Sequence, residues 1–415
     1  MKIAIVGSGI AGLTCAYLLN RQHDIQVFEA SNWIGGHTHT VDVQVDGRSY
    51  AIDTGFIVFN DWTYPNFIRL LGQVGVGFKP TEMSFSVSDP ATGVEYNGHD
   101  LNTLFAQRSN LLSPAFWGML RDILRFNRQS LDDLANNRID ADTTLGQYLE
   151  RNGYGRRFIE HYIVPMGSAI WSMSLADMLG FPLQFFVRFC KNHGLLSVSD
   201  RPTWQVIEGG SRSYVAPLTA SFAERIRLNC PVSRVVRDQD GVTLHSAAGA
   251  ERFDKVIFAC HSDQALALLE QPSEQEQDIL GALPYANNDV VLHTDTRLLP
   301  KRKLAWASWN YRLGGPREQM AAVTYDMNIL QGIDSDTTFC VSLNQTAAID
   351  PSKILARFQY AHPQYSLAGT AAQARWEELL GAQHTYYCGA YWANGFHEDG
   401  VVSALRVARA FGETL

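Results

Sequence analysis

At 415 residues the chain is long enough for two subdomains with substantial cores, and 46% hydrophobic with 18% charged residues describes a globular protein. A net charge of −8 gives no electrostatic case for nucleic acid. Six scattered cysteines without CxxC or metal-ligand spacing, no signal-peptide pattern before the first strand, and no apolar run near the ~20 residues that span a bilayer point to a reducing cytoplasm.

Residues 1–29 read as strand, tight turn, helix and strand, and the unit ends in an acid. Lys2-Ile3-Ala4-Ile5-Val6 suits a buried parallel strand. Gly7-Ser8-Gly9-Ile10-Ala11-Gly12 follows at once, and residues 13–21 favour a helix. A GxGxxG between strand and helix, with Glu29 at the end of the next strand, is a dinucleotide fingerprint. Gly7 allows the turn, Gly9 admits a diphosphate, and Gly12 permits close helix–strand packing. Glu29 would accept hydrogen bonds from the adenosine ribose and disfavours a 2′-phosphate there.

Gly35-Gly36-His37-Thr38 forms a second glycine loop. Residues 41–45 and 48–52 flank Asp46-Gly47, a hairpin signal. Asp53-Thr54-Gly55-Phe56 closes this first segment. From about Asp61 to Asp200 the chain reads as largely helical and aromatic. Ser113-Pro114 caps a helix through Leu134, and residues 145–152 and 156–166 read as helices. In the first of these, Phe116, Leu120, Ile123 and Leu131 recur at helical spacing beside Arg121, Arg125 and Arg128. That pattern fits either a helix resting on anionic lipid or a domain helix with a solvated face. Residues 213–225 read as another helix, then short strands at 226–228, 232–237, 242–246 and 255–260. The last residues, 386–415, end in a helix. The chain weaves twice between two domains: 1–60, 201–272 and 383–415 bind the nucleotide, and 61–200 and 273–382 form the second domain.

The weave and these motifs resemble the flavin-containing amine oxidoreductase superfamily over nearly the whole chain. The resemblance implies an α/β fold, with a Rossmann-type FAD-binding domain interleaved with a mixed α+β substrate domain. It implies non-covalent FAD held by Gly7, Ser8, Gly9, Ile10, Ala11, Gly12, Glu29 and Ala30. Gly35, Gly36, His37 and Thr38 would face the diphosphate, with Gly55, Phe56 and Ala259 alongside. Val232, after Pro231, would meet the adenine. The C-terminal signature is "CGAYWANGFHEDGV". There Gly389, Gly400 and Val401 would approach the flavin, and helix N–H groups would stabilise charge at N1/O2.

Shorter stretches narrow the likeness. "DTGFIVFN", "SFSVSDP", "FIEHYIVPMGSAIWS", "GGSRSYV" and "FACHSDQAL" resemble a bacterial group of FAD-binding oxidoreductases. That group is associated with cyclopropane-fatty-acid synthases, which implies a fatty-acyl substrate and a synthase-type methyltransferase as partner. It also allows peripheral contact with the inner face of a membrane.

Four departures from amine oxidases stand out. No lysine lies on the strand after Leu283-Pro284, where many members hold a water near flavin N5. Residues 381–387, before the C-terminal signature, contain no cysteine for covalent flavin. Phe396 stands where an aromatic cage has tyrosine, and His37 where arginine often follows the glycines.

His397, Glu398 and Asn60 are the candidate catalytic residues, and a histidine suits proton transfer near neutrality. Trp171, Tyr391, Trp392 and Phe396 are candidate pocket residues. His161 and Tyr162 read as a polar–aromatic core cluster. The leading expectation is dehydrogenation of an acyl chain by hydride transfer to flavin N5. A redox-neutral double-bond isomerase, an amine oxidase and a non-catalytic flavin-binding partner remain open. With one dinucleotide fingerprint, electrons would pass to oxygen or another acceptor rather than come from a nicotinamide.

Overall fold

The computed structural model describes residues 1–314 and 320–415. Its nucleotide domain is built on a five-stranded parallel sheet. In spatial order the strands are Ile226–Arg227, Asp24–Phe28, Lys2–Val6, Lys255–Phe258 and Thr385–Tyr387. Lys2–Val6 pairs with Asp24–Phe28 on one side and Lys255–Phe258 on the other, so the chain reverses direction across the sheet at this strand. Ligands bind at that kind of switch point, beyond the carboxyl ends of the strands. The helix Ile10–Leu19 is apolar nearly all round because it is covered on both sides. The sheet lies beneath it, and the C-terminal helix His397–Ala410 crosses above.

The second domain rests on a seven-stranded mixed sheet. Its order is Ile354–Pro363, Tyr285–His293, Cys340–Leu343, Val323–Asp326, Trp309–Arg312, Phe85–Asp89 and Val94–Asn97. Helices between residues 114 and 192 pack on it around an aromatic core that includes Phe116, Phe126, Phe158, Phe181 and Phe186. A small sheet of Val58–Asn60, Trp204–Ile207 and Phe78–Pro80 stitches the two domains together.

The hairpin expected around Asp46-Gly47 forms, with Asp46 and Gly47 both at positive φ (51° and 75°). The helix expected from Ser113 spans Pro114–Ala135, and Ser113 Oγ accepts from the Phe116 N–H. Its apolar face turns inward. Phe116 is fully buried, Leu120, Ile123 and Leu131 pack on the core, and Arg125 lies 3.9 Å over the Tyr154 ring while pairing with Asp122.

Two expected helices are broken. Residues 156–166 divide into Arg156–Phe158, a π-turn at Ile159–Ile163 and a helix Val164–Trp171. Pro165 has no N–H to offer the His161 carbonyl, and the Tyr96 hydroxyl donates to it instead at 2.6 Å. Residues 213–225 contain only a short helix, Val215–Thr219, between 3₁₀ turns. Packing also moves the domain boundaries. Ile279, Leu280, Leu283, Ala372 and Leu379 join the core beneath the nucleotide sheet, and Phe67, Leu70 and Leu71 pack on its other face.

Candidate functional site

A single cavity of about 920 Å³ runs from the glycine loops into the second domain. Its nucleotide end is shaped by three glycines with different constraints. At Gly7, φ is +107° and a Cβ would lie 2.8 Å from the Ala259 carbonyl oxygen. At Gly12 a Cβ would lie 2.1 Å from the Gly7 carbonyl oxygen, so helix and turn pack against bare backbone. At Gly9 a Cβ would meet nothing within 4 Å. The space before the helix N-terminus is therefore open, and no side chain caps that helix. Free N–H groups and the positive helix end face it, as a diphosphate requires.

Glu29 is held rigidly at the strand end. Its carboxylate accepts from the Ser8 N–H and Oγ at 2.9 and 2.6 Å and from the Ser31 N–H at 2.8 Å. Gly35 bridges to Gly9, so the second glycine loop closes over the first. A Cβ on Gly55 would lie 2.2 Å from the His37 carbonyl oxygen, which locks Gly55-Phe56 beside that loop. Ser8, Ile10, Ala11, Ala30, Gly36, His37, Gly55, Phe56, Val232, Ala259 and Gly389 all line the cavity. His37 Nε2 is buried without a partner among the described residues, a donor or acceptor left for a bound group. Open backbone, fixed acid and orphaned nitrogen together fit FAD. Cys260 lies on the wall, and burial pushes its thiol up to about 12. Cys388 is turned into the core, 3.7 Å from the Cys15 sulfur.

The middle of the cavity carries a cluster of imidazoles that the sequence did not suggest. His261 and His362 lie 6.0 and 5.5 Å from His37, ring to ring. His261 stacks on Tyr285 at 4.0 Å, and His362 Nδ1 lies 2.9 Å from Ser172 Oγ. Ser172 sits at φ +54°, a rare conformation for serine, at the end of Val164–Trp171. Burial lowers His37, and pushes His261 and His362 down to about 3. The segment "FACHSDQAL" contained His261, but nothing local in the chain joins it to His362, 101 residues later.

These imidazoles tie stability to pH. Their folded values lie below the ~6.5 of a free histidine, so as pH falls the unfolded chain takes up protons first. Stability present above about 6.5 is then lost toward pH 3–4. Asp53, Asp326 and Asp399, raised to about 6 by burial, work in the opposite direction. They are outnumbered by His37, His193, His261, His293, His362 and His397, all lowered. The melting temperature should be lower at pH 5 than at pH 7, and His362→Asn should shrink that difference. An unchanged difference in the variant would show that His362 titrates normally in the folded protein.

His397 lies on the cavity wall in the first turn of the C-terminal helix. Its ring is stacked on Phe56 with centroids 3.4 Å apart. Nε2 lies 3.0 Å from Thr38 Oγ1 and 3.2 Å from the Tyr214 hydroxyl. Burial holds it well below its ordinary pKa, so it is a neutral, clamped imidazole and a weak base. Thr38 thus lies behind the wall and positions His397 rather than facing the diphosphate.

The other two candidate catalytic residues are placed elsewhere. Glu398 reaches away from the cavity and caps Pro65–Val74, accepting from the Asn66 N–H and amide and the Phe67 N–H. Asn60 Oδ1 accepts from the Trp62 and Thr63 N–H groups and closes the turn that precedes this helix. Glu398 is consumed as a helix-start acceptor, whereas Asn60 Nδ2 is buried with no partner among the described residues. Gly400 and Val401 also lie behind the wall. A Cβ on Gly400 would lie 2.8 Å from Ile10 Cγ2, so this glycine lets two helices cross closely. Trp392 packs in the core, its indole donating to the Tyr387 carbonyl oxygen at 3.2 Å.

Trp171, Tyr391 and Phe396 do line the cavity. Trp171 packs against Phe181 and Phe189 at 4.4 and 4.8 Å, and Phe396 stacks on Phe189 at 5.3 Å. Tyr391 and Tyr365 present hydroxyls with no partner among the described residues. Tyr162, Met166 and Ile170 line the chamber beyond, with Met83, Phe85, Leu195, Trp309 and Leu330 opposite. The π-turn turns Tyr162 to this wall, while His161 Nε2 pairs with Asp89 at 2.9 Å. Among the described residues, Glu29 is the only carboxylate and Arg201 the only lysine or arginine on the entire wall.

A dinucleotide cradle opening into an apolar chamber of a second domain defines a flavoprotein oxidoreductase. The family model "Flavin containing amine oxidoreductase" matches residues 10–328, and the chain belongs to that family. It is an FAD-dependent oxidoreductase. Among solved structures, a CLA-producing fatty acid isomerase from P. acnes is similar at a TM-score of 0.71 and 15% identity. Cyclohexylamine oxidase from Brevibacterium oxydans IH-35A is similar at 0.67 and 16%, and a triple mutant of putrescine oxidase at 0.69 and 15%. Each comparison covers 99% of this chain and 98% of the other. At these identities the likeness is one of fold. No curated protein matches the chain.

Proposed function

We propose that this oxidoreductase removes two hydrogens from a fatty-acyl chain, leaving a carbon–carbon double bond. The observation that carries the reading is the chamber wall. Beyond Glu29, which belongs to the nucleotide end, no described carboxylate faces the cavity. A buried alkylammonium would be left without a counter-charge, which is costly. An acyl chain needs none, and apolar walls of this kind take it up by excluding water. Arg201, whose Nε donates to the Ser197 carbonyl oxygen, is the one described cation on the wall and suits a carboxylate or phosphate head.

FAD supplies the two-electron acceptor for this chemistry. The chain's residues orient the substrate and keep water out. Trp171 and Phe396 flank the carbon chain. The Tyr391 and Tyr365 hydroxyls, kept protonated by burial, offer donors to a bound polar atom. The lysine typical of amine oxidases is absent from Tyr285–His293, and buried Asn288 donates to the Ala286 carbonyl oxygen within that strand. The likeness to a group associated with cyclopropane-fatty-acid synthases supports acyl chains carried on phospholipid.

Mass spectrometry of phospholipids incubated with the protein tests this. Saturated, unsaturated, methyl-branched and cyclopropane chains should be compared, and one of them should lose two hydrogens. Unchanged mass with a displaced double bond would replace dehydrogenation with isomerisation. Unchanged lipids beside an oxidised amine would overturn the acyl reading.

A further inference from the structure

Exposed apolar side chains gather on one face of the second domain. Leu101 is 75% exposed, Leu111 47%, Leu112 88% and Trp117 50%. They lie on the short helix Leu101–Leu104, the turn Arg108–Leu112 and the start of Pro114–Ala135. Named contacts make them one surface. Trp117 Nε1 donates to the Leu111 carbonyl oxygen at 2.9 Å, and the Phe105 and Trp117 rings lie 5.5 Å apart. Arg108 donates to Asn102 Oδ1 and to the Phe105 carbonyl oxygen, which ties the turn to the short helix. The turn Lys303–Ala305 packs beside that helix and adds exposed Leu304.

The same face is basic on a chain of net charge −8. Arg108, Arg121, Lys301, Arg302 and Lys303 are exposed there. Arg121 lies one turn beyond Trp117, and exposed Leu124 and Arg128 continue the stripe. Arg302 pairs with Glu95. For the other cations no ion pair is present among the described residues. Asp100, the acid on this face, is occupied as the cap of Leu101–Leu104.

We propose that this face docks on an anionic lipid bilayer. Leu111, Leu112 and Trp117 enter the headgroup layer, and Arg108, Arg121, Lys301 and Lys303 sit over lipid phosphates. An indole with an apolar body and a polar edge suits that depth, and cations gather at anionic leaflets. A second copy of the chain fits less well, because a two-fold contact would set these cations against one another. The face also adjoins the cavity, whose wall includes Gly98 in the link leading to Leu101. No helix among the described residues is long and apolar enough to cross a membrane, so the contact is peripheral.

Vesicle co-sedimentation tests the docking without turnover, so it is read independently of the substrate. The probes are vesicles of phosphatidylcholine alone and of phosphatidylcholine with roughly one-third phosphatidylglycerol. The wild-type chain should bind the anionic vesicles, bind the neutral ones at least tenfold more weakly, and be released by salt. Leu111→Glu with Leu112→Glu should lower binding to anionic vesicles at least tenfold while the melting temperature stays unchanged. Equal binding to both vesicles, or an unaffected double variant, overturns the proposal. So does a wild-type dimer that the double variant converts to monomer.

Discussion

Gly9→Glu is expected to yield a folded protein without its yellow cofactor. The open space before Gly9 lets a side chain be added without moving the backbone. The added carboxylate then occupies the diphosphate approach and opposes its charge at a helix N-terminus that favours anions. Affinity for FAD should fall by at least a hundredfold, about 2.7 kcal/mol. Gly12→Ala is the contrasting variant. Its single methyl would lie 2.1 Å from a carbonyl oxygen, so the strand–helix unit itself must shift. Such overpacking should cost about 3 kcal/mol or more of folding stability. Flavin absorbance and melting temperature of the two variants separate the outcomes. Normal flavin content in Gly9→Glu would overturn the placement of the cofactor.

Ile170→Trp is expected to leave the flavin in place and cut turnover of long acyl chains by at least thirtyfold, about 2 kcal/mol. Met166 and Ile170 lie one turn apart on Val164–Trp171, and both face the chamber. Indole bulk at position 170 narrows the chamber well away from the glycine loops. Short chains that stop before the constriction should be spared, so the loss should grow with chain length. Steady-state kinetics over a series of acyl lengths checks this. A loss independent of length would mean that the chamber does not hold the chain.

The legible parts of the molecule are those encoded within a few residues. The positive φ at Gly7 and the close approach of Gly12 to the Gly7 carbonyl are constraints that the turn imposes locally, and the Asp46-Gly47 hairpin is equally local. The candidate catalytic residues were harder to read. Glu398 caps the start of Pro65–Val74 and Asn60 closes the turn before it, from positions 338 residues apart, a use of polar groups that no spacing announces. The His37–His261–His362 cluster is assembled by both domains, and only the fold brings its members together. The helix from Ser113 was legible as an element, yet its faces were not. The periodic Phe116 and Leu120 point inward, while Trp117 and the leucines before the helix stay exposed.

The most direct test of an acyl-chain oxidoreductase is the flavin spectrum of the purified protein under anaerobic conditions during titration with lipids and, separately, with amines. Stepwise loss of the oxidised flavin absorbance with a phospholipid or fatty acid, and none with amines, is the predicted result. Bleaching by an amine with every lipid inert would contradict the account.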